Sequence, residues 1–231
     1  MSKIFAIIPA GGTGTRVGGE IPKQYLDFHG KELIAYTLEI FQNNDQIDEI
    51  AISAQPRFFE LLERIKNRFG FTKVTKIVEG GENRQISVYN ALISLDAADG
   101  DLICVHDAAR PLLPAHILDS VITDCKKNGN AVLAIKAKDT LVNGLKTVDN
   151  YINRGNISYI QTPQIFEFSE LLKAMKNAAE EGFIGTDESM LVYRLGKSIY
   201  LSEGSSINFK VTTEADVELV KLISGKKKKG M

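Results

Sequence analysis

The run Ile4-Phe5-Ala6-Ile7-Ile8 is apolar at every position. A strand with one wet face alternates apolar and polar residues. An unbroken run has to be covered on both faces, as in the middle of a sheet flanked by helices. The rest of the chain supplies the elements such a sheet needs. Glu32 to Gln42 carries Ile34, Leu38 and Phe41 at helical spacing. Glu49 to Ala54 reads as a strand and Pro56 to Phe69 as a helix, with Pro56 in the first turn, where a missing N–H does no harm. Lys73 to Glu79, Leu102 to His106 and Ala131 to Ala137 read as further strands. Asn83 to Leu95 and Pro114 to Lys127 read as helices. The alternation predicts an α/β, Rossmann-like fold, a mainly parallel sheet with helices on both sides.

The rhythm breaks at Lys138. In Thr140 to Val148 an Asn143-Gly144 pair separates two strand-like halves, Leu141-Val142 and Leu145 to Val148, which is a hairpin signal. A lone two-stranded arm is marginal in water and gains stability only by packing on something, such as a second subunit. Residues 138–158 are therefore expected to form a β-arm inserted into one domain spanning 1–225, with a basic tail at 226–231. The main pattern resumes with a strand at Tyr159 to Phe166 and helices at Ser169 to Glu181 and Asp187 to Leu195. A strand at Ser198 to Leu201 and a helix at Thr213 to Ile223 complete it.

Composition narrows the functional classes. With 231 residues, 44% of them hydrophobic, the chain can bury one large core. A net charge of -1 argues against a broad nucleic-acid surface, and the terminal run Lys226 to Lys229 reads as a solvated tail. Cys104 lies in the apolar run Leu102 to Val105 and Cys125 in a helical pattern, and both read as small buried residues of a reduced, cytoplasmic protein. His29, His106 and His116 lack metal-site spacing. Pro9 and Gly11 interrupt the early apolar run, so no signal peptide is expected, and no stretch approaches the roughly 20 apolar residues of a membrane span.

The connection after the first strand, PAGGTGTRVGGEIPKQY from Pro9 to Tyr25, is far longer than an ordinary strand-to-helix loop. A glycine-rich loop in this place suggests phosphate binding, because backbone N–H groups reach oxygens closely where no Cβ intervenes. The dinucleotide fingerprint begins correctly at Gly12 and Gly14 but meets Val17 where its last glycine belongs. The P-loop pattern fits Gly14 and Gly19, then finds Glu20 and Ile21 in place of Lys and Ser/Thr. A longer loop around a triphosphate remains, with Arg16 as a planar fork and Lys23 as a point charge neutralising it.

Ala10-Gly11-Gly12-Thr13-Gly14-Thr15-Arg16, followed by Pro22-Lys23-Gln24, resembles the signature of nucleotidyltransferases that activate sugar or polyol phosphates. More narrowly the chain is similar to the 2-C-methyl-D-erythritol 4-phosphate cytidylyltransferases of non-mevalonate isoprenoid biosynthesis. The likeness extends through further motifs. Gly80-Gly81-Glu82-Asn83-Arg84-Gln85-Ile86-Ser87 joins a strand to a helix, with Asn83 placed to cap it. The resemblance implies Gly81, Glu82 and Ser87 at the cytosine, although that family often has Asp where Glu82 stands. His106-Asp107-Ala108-Ala109-Arg110-Pro111 follows a strand's carboxyl end, where open α/β sheets gather ligands. The resemblance implies Asp107 near the ribose, Mg²⁺ and the incoming phosphate, Ala108 at the nucleotide, and Arg110 at the acceptor.

Thr140 and Arg154 are uninformative by themselves. The resemblance implies that they reach into a neighbouring subunit's site, which makes a homodimer of the arm's packing. Thr162, in Gln161-Thr162-Pro163-Gln164, would touch the acceptor. Thr186-Asp187-Glu188 reads as a helix N-terminus. Lys210, in Asn208-Phe209-Lys210-Val211-Thr212-Thr213, would face the phosphates beside Arg16 and Lys23. The implied reaction transfers CMP from CTP to a polyol phosphate, with Ala10, Gly11, Gly12 and Gly14 around the nucleotide. Ribitol-5-phosphate cytidylyltransferases share the G-G-T-G-T-R loop and are the nearest alternative. Ala108-Ala109 favours the methylerythritol family. A non-catalytic nucleotide binder on the same fold is the other alternative, and the set Arg16, Lys23 and Lys210 speaks against it.

Overall fold

The computed structural model describes residues 2–12 and 21–227. The first strand, β1 (Ile4–Pro9), leads by a 3-10 turn at Lys23–Tyr25 into α1 (Leu33–Gln42). Then come β2 (Glu49–Ala54), α2 (Phe59–Phe69), β3 (Val74–Glu79), α3 (Arg84–Ser94), β4 (Leu102–Val105), α4 (Ala115–Asn128) and β5 (Asn130–Lys136). A hairpin of β6 (Leu141–Asn143) and β7 (Asn150–Ile152) follows, then β8 (Ser158–Glu167), α5 (Phe168–Glu180), α6 (Glu188–Arg194), β9 (Leu201–Glu203) and α7 (Glu214–Lys227).

Seven strands form one sheet in the order β3-β2-β1-β4-β8-β5-β9. β1 pairs in parallel with β2 and β4, β2 with β3, and β5 with β9. β8 runs against both β4 and β5 and is the one antiparallel strand. The mainly parallel expectation therefore holds. The reversal at β8 follows from the hairpin, which turns the chain round after β5.

β1 explains its own composition. Ile4, Ala6 and Ile8 pack into a core with Ile34, Leu38 and Phe41 of α1, Leu62 and Ile65 of α2, and Leu118, Val121 and Ile122 of α4. Phe5 and Ile7 face the other way, into a second core with Val88 and Leu92 of α3, Leu171 and Met175 of α5 and Leu191 of α6. Each large apolar side chain so buried contributes about 1.5–3 kcal/mol. A polar residue at any of these β1 positions would lose that on one face or the other. A third, smaller cluster of Phe28, Leu33, Ala109, Val211, Val217 and Val220 seats α7 against the segment after β4.

The helices start and stop as their ends require. Asn83 caps α3, its side chain accepting the Ile86 N–H at 3.0 Å, and Asp187 caps α6 through Met190 at 2.9 Å. Gly70 and Gly129 end α2 and α4 with positive φ of 67° and 84°. Helix α2 begins three residues later than its pattern suggested, because Pro56–Phe58 forms a 3-10 turn first. Helix α7 continues to Lys227, into the expected tail.

The arm differs from its sequence reading in one respect. Its pairs are Leu141 with Ile152, Val142 with Tyr151 and Asn143 with Asn150, so the second strand starts at Asn150 and not at Leu145. Residues 144–149 form a wide loop in which Asp149 N–H donates to Asn143 O at 2.8 Å. Gly144, at φ 134°, packs so closely that a Cβ would lie 1.9 Å from the Thr147 carbonyl. The Asn-Gly pair opens this loop instead of forming a two-residue turn.

Candidate active site

The carboxyl ends of β1 and β4, the N-terminus of α3 and the segment before α7 enclose a cavity of about 410 Å³. Its wall includes Ala10, Gly11, Gly12 and Lys23 from the glycine-rich connection, Gly81, Glu82 and Ser87 from the second motif, Asp107 and Ala108 after β4, and Lys210. Residues far apart in sequence, nominated by separate motifs, thus meet on one surface. Gly14 and Arg16 lie outside the described residues.

The entry to the glycine loop is held by side-chain amides. Gln24 Nε2 donates to Ala10 O at 2.7 Å and to Gly12 O at 2.8 Å, and Gln55 Nε2 donates to Gly11 O at 3.0 Å. Gln24 is itself buried. Pro22 precedes the 3-10 turn and its carbonyl accepts the Tyr25 N–H at 2.9 Å, which sets Lys23 on the cavity wall while Gln24 and Tyr25 point inward. Across the cavity, Gly81 N–H donates to Ser87 Oγ at 3.0 Å, and Ser87 Oγ donates to Asn83 O at 2.8 Å. A Cβ on Gly81 would lie 2.1 Å from Ile86 Cγ2, so this backbone approach requires glycine.

Asp107 is the electrostatic centre. Its Oδ1 accepts from Arg84 Nε at 3.0 Å, and its Oδ2 faces Lys210 Nζ at 3.0 Å and Arg110 Nε at 3.4 Å. Burial by itself would raise this carboxyl. Arg84, then Lys210 and Arg110, outweigh it and hold Asp107 well below the usual carboxylate range, so it is ionised. Arg84 also donates from Nη1 to the buried Glu188 at 2.6 Å. Burial works against the Arg84 charge, but Glu188 and Asp107 push its pKa above the ordinary arginine value. Burial pushes the Glu188 carboxyl up, and Arg84 opposes that shift.

Arg110 and Thr162 sit behind Asp107 and do not line the cavity. Arg110 Nη1 donates to Asn208 O at 2.7 Å. Thr162 Oγ1 accepts the Asp107 N–H at 3.1 Å and lies 3.1 Å from His106 Nδ1. Asn208 Nδ2 donates to Thr162 O at 2.8 Å, which ties the Lys210 segment to β8. Thr140 and Arg154 are exposed on the arm, Arg154 bonding to the Lys138 carbonyl, and neither reaches the cavity of its own chain.

Two residues of this site escape a sequence reading. Arg84 stood in a quoted motif but had no assigned role, since its partners are 23 and 104 residues away. Gln24 was quoted only as part of a motif and had no assigned role, since its amide bonds to backbone carbonyls 14 and 12 residues away. The one available signal was Arg84's place at the first turn of a helix entered through a glycine pair.

The geometry favours charge neutralisation over covalent chemistry. His106 is buried, and burial lowers its pKa to about 4, so at neutral pH it is an uncharged structural ring. Cys104 and Cys125 are buried, and burial pushes the Cys125 thiol up to about 12, far from a reactive thiolate. Among the described residues no three His, Cys, Asp or Glu side chains gather as a metal cage. The ionised Asp107 beside these cations would suit a Mg²⁺ ion carried chiefly by substrate phosphates and water.

A Rossmann-like sheet that gathers Lys23, Lys210, Arg84 and Asp107 beside a glycine-rich connection at its strand ends is the arrangement of a nucleotidyltransferase. Comparison with known proteins makes this specific. The family described as 2-C-methyl-D-erythritol 4-phosphate cytidylyltransferase matches residues 4–226, and the chain belongs to it. It is 38% identical over 224 residues to a protein of that name from Geotalea uraniireducens (strain Rf4), covering 94% of each chain. It is 38% identical to one from Clostridium perfringens (strain SM101 / Type A), covering 95% of this chain and 97% of that one. The crystal structure of the Francisella tularensis 2-C-methyl-D-erythritol 4-phosphate cytidylyltransferase superposes with a TM-score of 0.82 at 30% identity, covering 96% of this chain and 99% of that one.

Proposed function

We propose that the protein transfers CMP from CTP to 2-C-methyl-D-erythritol 4-phosphate, releasing pyrophosphate and forming 4-diphosphocytidyl-2-C-methyl-D-erythritol for isoprenoid biosynthesis. The observation that carries this for the chain's own residues is the meeting of Lys23, Lys210, Asp107 and the Gly81 segment on one cavity. An acceptor phosphate oxygen bonds to the α-phosphorus of CTP, and the bond from that phosphorus to the bridging oxygen of pyrophosphate breaks. The attacking oxygen is already anionic, so no protein nucleophile is needed. Positioning and charge neutralisation do the work.

In this reading Ala10, Gly11, Gly12 and Gly14 surround the phosphates. Arg16, Lys23 and Lys210 stabilise charge moving toward pyrophosphate. Gly81, Glu82 and Ser87 meet the cytosine, and Asp107 and Ala108 meet the ribose. Asp107 would also hold Mg²⁺, which supplies neutralisation of the triphosphate when bound. The acceptor lies on the Arg110 and Thr162 side of Asp107, with Thr140 and Arg154 contributed by the arm of a second subunit. The exposed apolar side chains Val142, Leu145, Val148 and Tyr151 on the arm support such a homodimer. The enzyme works in the cytoplasm and needs neither membrane nor nucleic acid.

Pyrophosphate release from CTP is the test, with methylerythritol 4-phosphate and ribitol 5-phosphate assayed side by side. Turnover with the first and little with the second is expected. Preference for ribitol 5-phosphate would overturn the acceptor assignment. Absence of turnover with either, alongside retained CTP binding, would favour a nucleotide sensor.

A further inference from the structure

The Thr186-Asp187-Glu188 segment does more than start a helix. Glu188 is only 1% exposed and lies on no wall of the cavity. Its Oε1 accepts from Arg84, while its Oε2 has no hydrogen-bond partner among the described residues. Burying an ion pair is a poor route to stability, since a well-packed apolar pair of similar volume does as well or better. The placement of this pair suggests another use. Arg84 spans two carboxylates with one planar fork, Nε on Asp107 and Nη1 on Glu188, and its side chain stands on the cavity wall.

We infer that Glu188 is a positioning residue of the nucleotide site, acting through Arg84 on Asp107. It rests on the reading that Asp107 receives the ribose and metal of CTP. The seat of Glu188 is rigid on both sides. Gln164 of β8 donates to Asp187 Oδ2 at 3.0 Å and accepts the Ser189 N–H at 2.9 Å, and Gln164 is paired with Val105 at the end of β4. Gln85 of α3 donates to Phe183 O at 3.1 Å and accepts the Gly185 N–H at 2.9 Å. The ion pair thus ties the α3 entry to the start of α6, which Gln164 anchors beside the end of β4.

The charges around Asp107 give Glu188 its effect. Lys210 and Arg110 both draw on Oδ2, and among the described residues Arg84 alone holds Oδ1. With Glu188 uncharged, the guanidinium settles fully on Asp107 and competes with ribose and metal. With Arg84 removed, Asp107 turns to Lys210 and draws that ammonium away from the phosphates. Either change weakens CTP binding before it slows chemistry.

The experiment compares Glu188→Gln, the double variant Arg84→Met with Glu188→Gln, and Asp107→Asn. Calorimetric CTP affinity with Mg²⁺, steady-state kinetics and thermal midpoint are read for each. The double variant removes both buried charges, so its midpoint stays near that of the parent. Its KM for CTP and its CTP dissociation constant rise about tenfold or more, as for other residues that orient a ligand-binding group, while kcat changes less. Glu188→Gln shows the same shift in smaller measure. Parental CTP affinity in Glu188→Gln, or in a stable double variant, would reduce the pair to a brace and overturn the inference. Parental CTP affinity in Asp107→Asn would instead overturn the underlying reading of Asp107.

Discussion

Asp107 and Arg154 are both charged residues singled out by motif, and the fold treats them in opposite ways. Asp107 is buried among Arg84, Lys210 and Arg110, and its N–H is bonded to Thr162. Arg84 opens α3 and Thr162 lies on β8, and Asn208 ties Arg110 and the Lys210 segment to Thr162, so the chain's own contacts aim the carboxylate. Arg154 is exposed on an arm held together by three residue pairs, and its guanidinium bonds to a backbone carbonyl nearby in the same arm. Among the described residues, nothing in the chain's own core directs it. The nucleotide side is therefore preorganised by the fold, whereas the arm's contribution depends on what covers it. Electrostatic stabilisation of a departing pyrophosphate needs the first kind of construction, because dipoles and charges set in advance cost no reorganisation at reaction.

Substitution of Lys23 tests the preorganised side most severely. Lys23→Ala is expected to slow turnover by about 10²–10³-fold with little change in thermal midpoint, since the side chain lines the cavity and not the core. Near-parental pyrophosphate release would refute its role.

The next effect is one of stability and pH. His106 is neutral and buried with a pKa lowered to about 4 from 6.5, so it stabilises the fold fully above the higher value. As pH falls from 6.5 towards 4 the unfolded chain takes the proton first, and up to about 3 kcal/mol is lost. Urea midpoints followed across that window should fall less steeply in His106→Asn. An unchanged slope would mean that other groups dominate.

On the arm, Arg154→Ala should weaken use of the acceptor by about tenfold or more while sparing CTP affinity, the cost of one charge-assisted contact. Mixed dimers of Arg154→Ala and Lys23→Ala protomers should regain part of the lost activity if sites are shared. No regain in verified mixed dimers would return Arg154 to its own chain. The smallest effect on the fold belongs to Leu145, which is wholly exposed. Leu145→Ser should leave the unfolding free energy of the protomer within about 0.5 kcal/mol. It should nonetheless weaken self-association in sedimentation, and unaltered association would remove the arm loop from the interface.

Much of this contrast was legible beforehand. The alternation of strands and helices was visible in residue patterns, and β2 has the bounds its pattern predicted, Glu49–Ala54. The cavity residues Lys23, Gly81, Asp107 and Lys210 were each named by a motif. What the motifs lacked was direction. Arg110 and Thr162 were expected at the acceptor, and their polar groups turn inward, to Asn208 and Asp107. The Asn-Gly pair suggested a tight hairpin, and packing of Thr147 on Gly144 made a wide one.

By itself the sequence determined that β1 would be covered twice and that the loop after it suited neither of the two common phosphate cradles. It also singled out Lys23 and Lys210, which line one cavity. These are local properties, set by the period of apolar residues and by side-chain chemistry at adjoining positions. Only the tertiary structure decided that β8 runs backwards between β4 and β5, and that Arg84 clasps Glu188 from 104 residues away. Those outcomes depend on which surfaces meet once both cores close. A guanidinium held between two carboxylates has no local signature, because its stability comes from partners that distance in sequence conceals.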